Sequence, residues 1–178
     1  MSEKKLEGAG LRGQVAGKTS LSTVGKAGKG LTYRGYPIEI LSEKAKFEEV
    51  AYLLMYGVLP NQTEFNEYSN KLISMRALPE SLIEVLERIP AEAHPMDVMR
   101  TGCSMLGNIE PEGDFSNQQE SADRILATMA SIIVYWYKYS HEGVKVNTET
   151  DNTSIGGHFL SLLHGKDANE DQIRCLDT

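Results

Sequence analysis

Residues 121–141 read SADRILATMASIIVYWYKYSH, and this stretch decides the fold class. Ile125, Met129, Ile132, Ile133 and Trp136 recur at helical spacing and gather on one wide face, as in a helix packed inside a protein. Gly143 closes it, since glycine takes the left-handed conformation that ends a helix without steric cost. The apolar run from Ile125 to Tyr139 is interrupted by Thr128 and Ser131 and is too short to cross a bilayer, so it predicts a core helix and no membrane span.

The same period recurs on both sides. Toward the amino terminus, Phe47, Val50, Ala51 and Leu54 form a helical set stopped by Gly57. Phe65, Tyr68, Leu72 and Met75 repeat it after Thr63. Leu82, Val85, Leu86 and Ile89 repeat it again, with Ser81 as the expected cap and Pro90 as the end. A further helix is predicted from Pro95 to about Leu106, turning Met96, Met99, Cys103 and Leu106 inward, with Gly107 following it. Residues 109–120 are polar, contain Pro111 and Gly113, and read as a linker. Toward the carboxyl terminus, a loop with Asn147, Asp151 and Asn152 leads to a short helix from Ile155 to His164, closed by Gly165. Asn169 to Thr178 begins another helix and stops inside it, which reads as a fragment.

The first 36 residues are glycine-rich and lack the helical period. Thr19 to Val24 reads as a strand, Gly25 to Gly30 as a turn and Leu31 to Arg34 as the return strand of a hairpin. The expected architecture is all-α, an orthogonal helical assembly over residues 37–178, preceded by an arm and β-hairpin over residues 1–36.

The 178 residues are 40% apolar and 24% charged, enough for one domain with a real core. A net charge of −7 argues against nucleic-acid binding, which needs clustered Lys and Arg. Cys103 and Cys175 do not make a disulfide framework, and the charged start MSEKKLEGAGLRG has no apolar stretch after it. A reduced, cytoplasmic setting is expected.

Little in the residues themselves points to chemistry. His158 and His164 stand six apart and share no helix face, neither Cys has a CxxC partner, and no HExxH occurs, so no metal site is expected. His94 falls at a helix start, while His141 and His164 fall in last turns, where a cation offsets the helix dipole. All four histidines read as structural. The Gly25–Gly30 segment lacks the order of a phosphate loop and reads as a hairpin turn. Gly156-Gly157 heads a short helix, where it serves either to cradle an anion or to let helices pack closely. Asp97 and Arg100, three apart, read as a surface ion pair. Tyr135, Trp136, Tyr137 and Tyr139 read as core and interface. Arg76, before Leu78-Pro79, is either a cation at a helix end or part of an anion site.

Several motifs taken together resemble the citrate synthase family. Leu31-Thr32-Tyr33-Arg34-Gly35-Tyr36 is similar to its L-x-Y-R-G-Y segment. Phe47 to Leu54, then Gly57 and Leu59-Pro60, resembles F-E-E-V-A-x-L-L with G-x-L-P. Arg76-Ala77-Leu78-Pro79 resembles R-x-L-P, and His94 to Thr101 resembles H-P-M-D-V-M-R-T. The resemblance runs from about Gly13 and is to the amino-terminal part of the family. Tyr135-Trp136-Tyr137, Tyr139-Ser140-His141, Thr150-Asp151 and Ser154 to Leu160 resemble the branch that makes 2-methylcitrate.

The resemblance implies an acyltransferase that joins propionyl-CoA or acetyl-CoA to oxaloacetate and hydrolyses the thioester. It implies a homodimer and no cofactor, CoA entering as the thioester substrate. In the family a carboxylate takes the proton beside the thioester carbonyl while histidines stabilise the enolate and polarise oxaloacetate. A weakly acidic α-proton needs a base acting together with such a donor. Those catalytic groups match nothing up to Asp177-Thr178, so no catalytic residue carries over and the chain alone is expected to be inactive. Arg76 alone carries over, as a substrate-binding cation. The alternatives are a citrate synthase proper and a non-catalytic helical interaction domain derived from the family.

Overall fold

The structure is a computed structural model that describes residues 17–24 and 30–177. It holds a three-stranded antiparallel sheet and, among the described residues, eight α-helices. Strand β1 (Ser22–Thr23) pairs with β2 (Thr32–Tyr33), as the hairpin expectation required, while the expected turn from Gly25 to Gly30 lies outside the described residues except for Gly30. A third strand, β3 (Tyr36–Pro37), was not expected. It pairs with β2 through a two-residue turn in which Arg34 (φ 50°) and Gly35 (φ 93°) both take positive φ, the requirement of a tight hairpin. Arg34 also ties the sheet to the helices, donating to Ser20 Oγ (2.8 Å) and to the Leu54 carbonyl (3.0 Å).

Helix α1 (Ile38–Lys44) follows at once and was also missed. It is seven residues long with Leu41 alone buried, too short to show a period. Helix α2 (Phe47–Tyr56) is started by Glu49, whose carboxylate accepts the Lys46 N–H at 2.8 Å, and is ended by Gly57 at φ 90°. Helix α3 (Gln62–Ser74) has a reciprocal cap. Asn61 accepts from the N–H groups of Thr63 and Glu64, and Glu64 accepts the Asn61 N–H. Helix α4 (Glu80–Leu86) corrects two expectations. Its cap position is Pro79 rather than Ser81, and it ends at Leu86 rather than Pro90, the chain turning through Glu87 to Ile89.

Helix α5 (Pro95–Ile109) is longer than expected and contains Gly107, whose outward position leaves nothing to break the backbone ladder. The linker holds a short 3-10 turn, Phe115–Asn117, and α6 (Gln118–Glu142) starts earlier than Ser121. Helices α7 (Ile155–His164) and α8 (Glu170–Asp177) agree with the sequence expectation, α7 ending at Gly165 with φ 66°.

The main core joins Leu78, Leu82, Leu86, Val98, Leu106, Ile132, Tyr135 and Trp136, and a second cluster joins Tyr68, Leu72 and Ala127. Helix α6 is buried nearly all round from Ala127 to Trp136, because α3, α4, α5 and α7 surround it. Its buried positions are therefore not the single face expected, and Ile125 is 38% exposed. Leu106 faces the core as expected, but Met96, also expected inward, is 64% exposed, and Val98 and Gly102 face the core instead. Gly102 is there to admit α6. A Cβ at that position would lie 2.6 Å from Ile132 Cγ2, closer than any real packing contact. No helix of the described residues is long and apolar enough to cross a membrane.

Candidate functional site around Arg76 and helix α7

Arg76 leaves the end of α3 and is 1% exposed. Its guanidinium enters the loop that connects α6 to α7. Nη1 donates to the carbonyls of Asn152 (2.5 Å) and Thr150 (3.4 Å) and to Thr150 Oγ1 (3.4 Å), and Nη2 donates to the Ser154 carbonyl (3.2 Å). Only a planar fork with several donors can serve carbonyls so arranged. Burial lowers the Arg76 pKa, and Glu48 opposes that shift.

Glu48, in the first turn of α2, is likewise 1% exposed. Its Oε1 accepts the Ile155 N–H at 2.6 Å and so caps α7 from another helix. Burial pushes its carboxyl pKa up, and the Asp177 carboxylate adds to this, while the Ile155 N–H and Arg76 pull it down. Ser154 Oγ takes the Gly157 N–H at 2.7 Å. A Cβ on Gly156 would meet Asp177 Oδ1 at 2.5 Å, and one on Gly157 would strike Asn152. The two glycines therefore serve close packing, and the first-turn donors of α7 at Ile155 and Gly157 are already taken by Glu48 and Ser154.

His158 lies under the same loop with no exposure. Nε2 meets Ser131 Oγ at 3.0 Å and Nδ1 meets Thr150 Oγ1 at 2.9 Å. Burial, with the Arg76 charge, pushes its pKa down to about 4, so the ring is neutral at neutral pH. It reads as a satisfied core histidine, as the sequence suggested. The others sit apart from it. His94 caps α5 by accepting the Met96 N–H at 3.2 Å, His141 stacks on Tyr137 near the end of α6, and His164 is exposed in the last turn of α7. Among the described residues no group of three or more His, Cys, Asp or Glu side chains is placed to hold a metal ion. Asp97 and Arg100 form the expected exposed pair at 3.0 Å.

Sequence reasoning missed the buried carboxylates of Glu48 and Asp123 and the partly buried Arg124. Asp123, with no exposure, accepts from Tyr56 Oη and Tyr68 Oη (both 2.9 Å) and from Lys71 Nζ (2.7 Å). Burial, then the Asp123 charge, raises the Tyr68 pKa and keeps its hydroxyl a donor. Its position four and seven residues before buried Ala127 and Ala130 was the available signal, since it puts a carboxylate on the inward side. Arg124 pairs both Glu110 oxygens at 2.8 Å and reaches the carbonyls of Met75 and Ala77, bracketing Arg76 in the chain.

Set beside known proteins, this framework has clear relatives. The sequence model described as "Citrate synthase, C-terminal domain" matches residues 10–178. A 2-methylcitrate synthase of Shewanella oneidensis is 65% identical over 163 residues, which cover 92% of this chain and 44% of that protein. Citrate synthase 2 of Bacillus subtilis is 30% identical over 171 residues, covering 94% of this chain and 45% of that protein. The crystal structure of citrate synthase from Thermotoga maritima MSB8 superposes with a TM-score of 0.82 at 31% identity, over 95% of this chain and 44% of that one. The chain thus spans under half the length of each of these relatives. A family match over nearly its whole length and the same helical framework in a solved citrate synthase place the chain in the citrate synthase family.

Proposed function

We propose that this chain is the helical scaffold portion of an acyltransferase that condenses propionyl-CoA, or less readily acetyl-CoA, with oxaloacetate, releasing 2-methylcitrate or citrate and CoA. The observation that carries this is the 65% identity with a 2-methylcitrate synthase over 92% of the chain. In this reading the enzyme is a cytoplasmic homodimer and needs no metal or redox cofactor. The chain by itself does not turn over. Enolisation of a thioester needs a base and an oxyanion donor facing one cavity. Here the buried histidine has both ring nitrogens engaged with hydroxyls.

Arg76 enters this reading through position. Its Nη donors are committed to the 150–154 loop, so it serves the substrate site by fixing that loop and α7. The test is thiol release from propionyl-CoA and acetyl-CoA with oxaloacetate, run on this chain and on the product of a longer gene that carries this sequence as its amino-terminal portion. Turnover by the longer product only, faster with propionyl-CoA, supports the reading. Faster turnover with acetyl-CoA favours a citrate synthase proper. Turnover by this chain alone refutes the scaffold role.

A further inference from the structure

Arg76 holds the 150–154 loop only as firmly as the turn that carries it is itself held. Met75 is the C-cap of α3, where helix carbonyls lack intrahelical partners. Arg124 of α6 supplies one. Its Nη1 donates to the Met75 carbonyl and, at 2.9 Å, to the Ala77 carbonyl, on either side of Arg76. The rest of its fork grips Glu110, the C-cap of α5, Nε meeting Oε2 and Nη2 meeting Oε1, both at 2.8 Å. These bonds hold the Glu110 carboxyl below the usual carboxylate range, so the pair stays charged. Peptide groups are planar, so fixing two carbonyls of the turn fixes the direction in which the Arg76 side chain leaves it. At the far end of that side chain, Nη2 donates to the Ser154 carbonyl at 3.2 Å, while Glu48 Oε1 accepts the Ile155 N–H of the same peptide at 2.6 Å. The peptide at the head of α7 is thus held between two charges of opposite sign, on residues that are each 1% exposed.

We propose that Arg124, braced by Glu110, is a positioning residue for the condensation: it sets the 75–77 turn and, through Arg76, the 150–154 loop and the head of α7. The link to turnover rests on the function proposed above, whereas the mechanical link stands on the contacts alone. Among the described residues neither Arg124 nor Glu110 bonds to the 150–154 loop. Arginine is required at this point, because lysine keeps the charge but lacks the planar fork that grips both carboxylate oxygens and two carbonyls at once.

Amide exchange of the protein tests the mechanical link. Glu110→Gln turns an amide NH2 toward an Arg124 donor and loosens the fork, and it should speed exchange at Ile155 and Gly157 by about five-fold, the worth of one hydrogen bond, while the buried α6 amides at Ile132 and Val134 keep their rates. Combined with Arg76→Lys, it should add little to the effect of Arg76→Lys alone, since the two act along one path. Unchanged exchange at Ile155 and Gly157, or effects that multiply fully in the double variant, overturns the proposal. Arg124→Lys should act as Glu110→Gln does and more strongly. If it does not fold, Glu110→Gln still decides, its side chain being 39% exposed. The link to turnover is read in the longer product, where Glu110→Gln should raise KM for oxaloacetate more than it lowers kcat. If exchange responds and neither constant moves, Arg124 is a structural cap and not a positioning residue, while thiol release by the unmodified longer product still upholds the proposed function.

Discussion

Two buried regions of this molecule are held by different physics. Around α6, the core of Leu82, Leu86, Val98, Ile132 and Trp136 is apolar, and its strength is area removed from water and contact between atoms. Beneath α7, the buried groups are Glu48, Arg76 and His158, and what holds them is mutual satisfaction of donors and acceptors. The apolar region loses stability roughly in proportion to the volume removed. The polar region loses it in steps, since deleting one partner strands another that is already out of water. The comparison teaches where a substitution at equal burial acts on global unfolding and where it acts on one local opening.

That contrast can be broken from either side. The largest effect is expected at Trp136, where Trp136→Ala should lower the unfolding free energy by about 3–5 kcal/mol in denaturant titration. A loss below about 1 kcal/mol would mean that α6 does not carry the core. Next comes pH. His158 takes its proton at about pH 4 when folded, well below the ordinary value near 6.5. Stability from this group is therefore complete above about pH 6.5 and is lost as pH falls toward 4, by up to about 3 kcal/mol. His158→Gln should flatten that part of the stability curve, and an unchanged slope would assign the acid loss to other groups.

A smaller effect, about 1.5–3 kcal/mol, is expected for Arg76→Lys, which keeps the charge but gives up the fork. Its signature is local. Amide exchange should accelerate over residues 147–157 more than in α5, and a uniform acceleration would show that Arg76 supports the whole fold rather than the loop. The smallest is Arg100→Ala, which removes an exposed ion pair and should shift stability by no more than about 0.5 kcal/mol. A large loss there would mean that this face is buried in the working assembly.

Much of the framework was legible because it is written locally. Gly57, Gly143 and Gly165 end helices at positive φ, and His94-Pro95 opens α5 as expected. The failures follow from the same fact. Helix α1 and strand β3 are too short to show a period, and β3 exists only because β2 offers it partners. Ile125 and Met96 fit a helical stripe but fall where the neighbouring helices leave them 38% and 64% exposed.

By itself, then, the sequence determined seven of the eight described helices, the glycine-closed ends of α2, α6 and α7, the all-α class and, through motifs spread from Leu31 to Leu160, the family. Those features depend on residues within a turn or two of each other, or on the order of motifs along the chain. Only the tertiary structure decided what the buried charges do. Glu48 meets the Ile155 N–H across 107 positions, and Arg76 meets the Ser154 carbonyl across 78. It also decided that Gly156 and Gly157 serve close approach. The reason is that a polar side chain is defined by the partner that replaces its water, and no local pattern names a partner that far away.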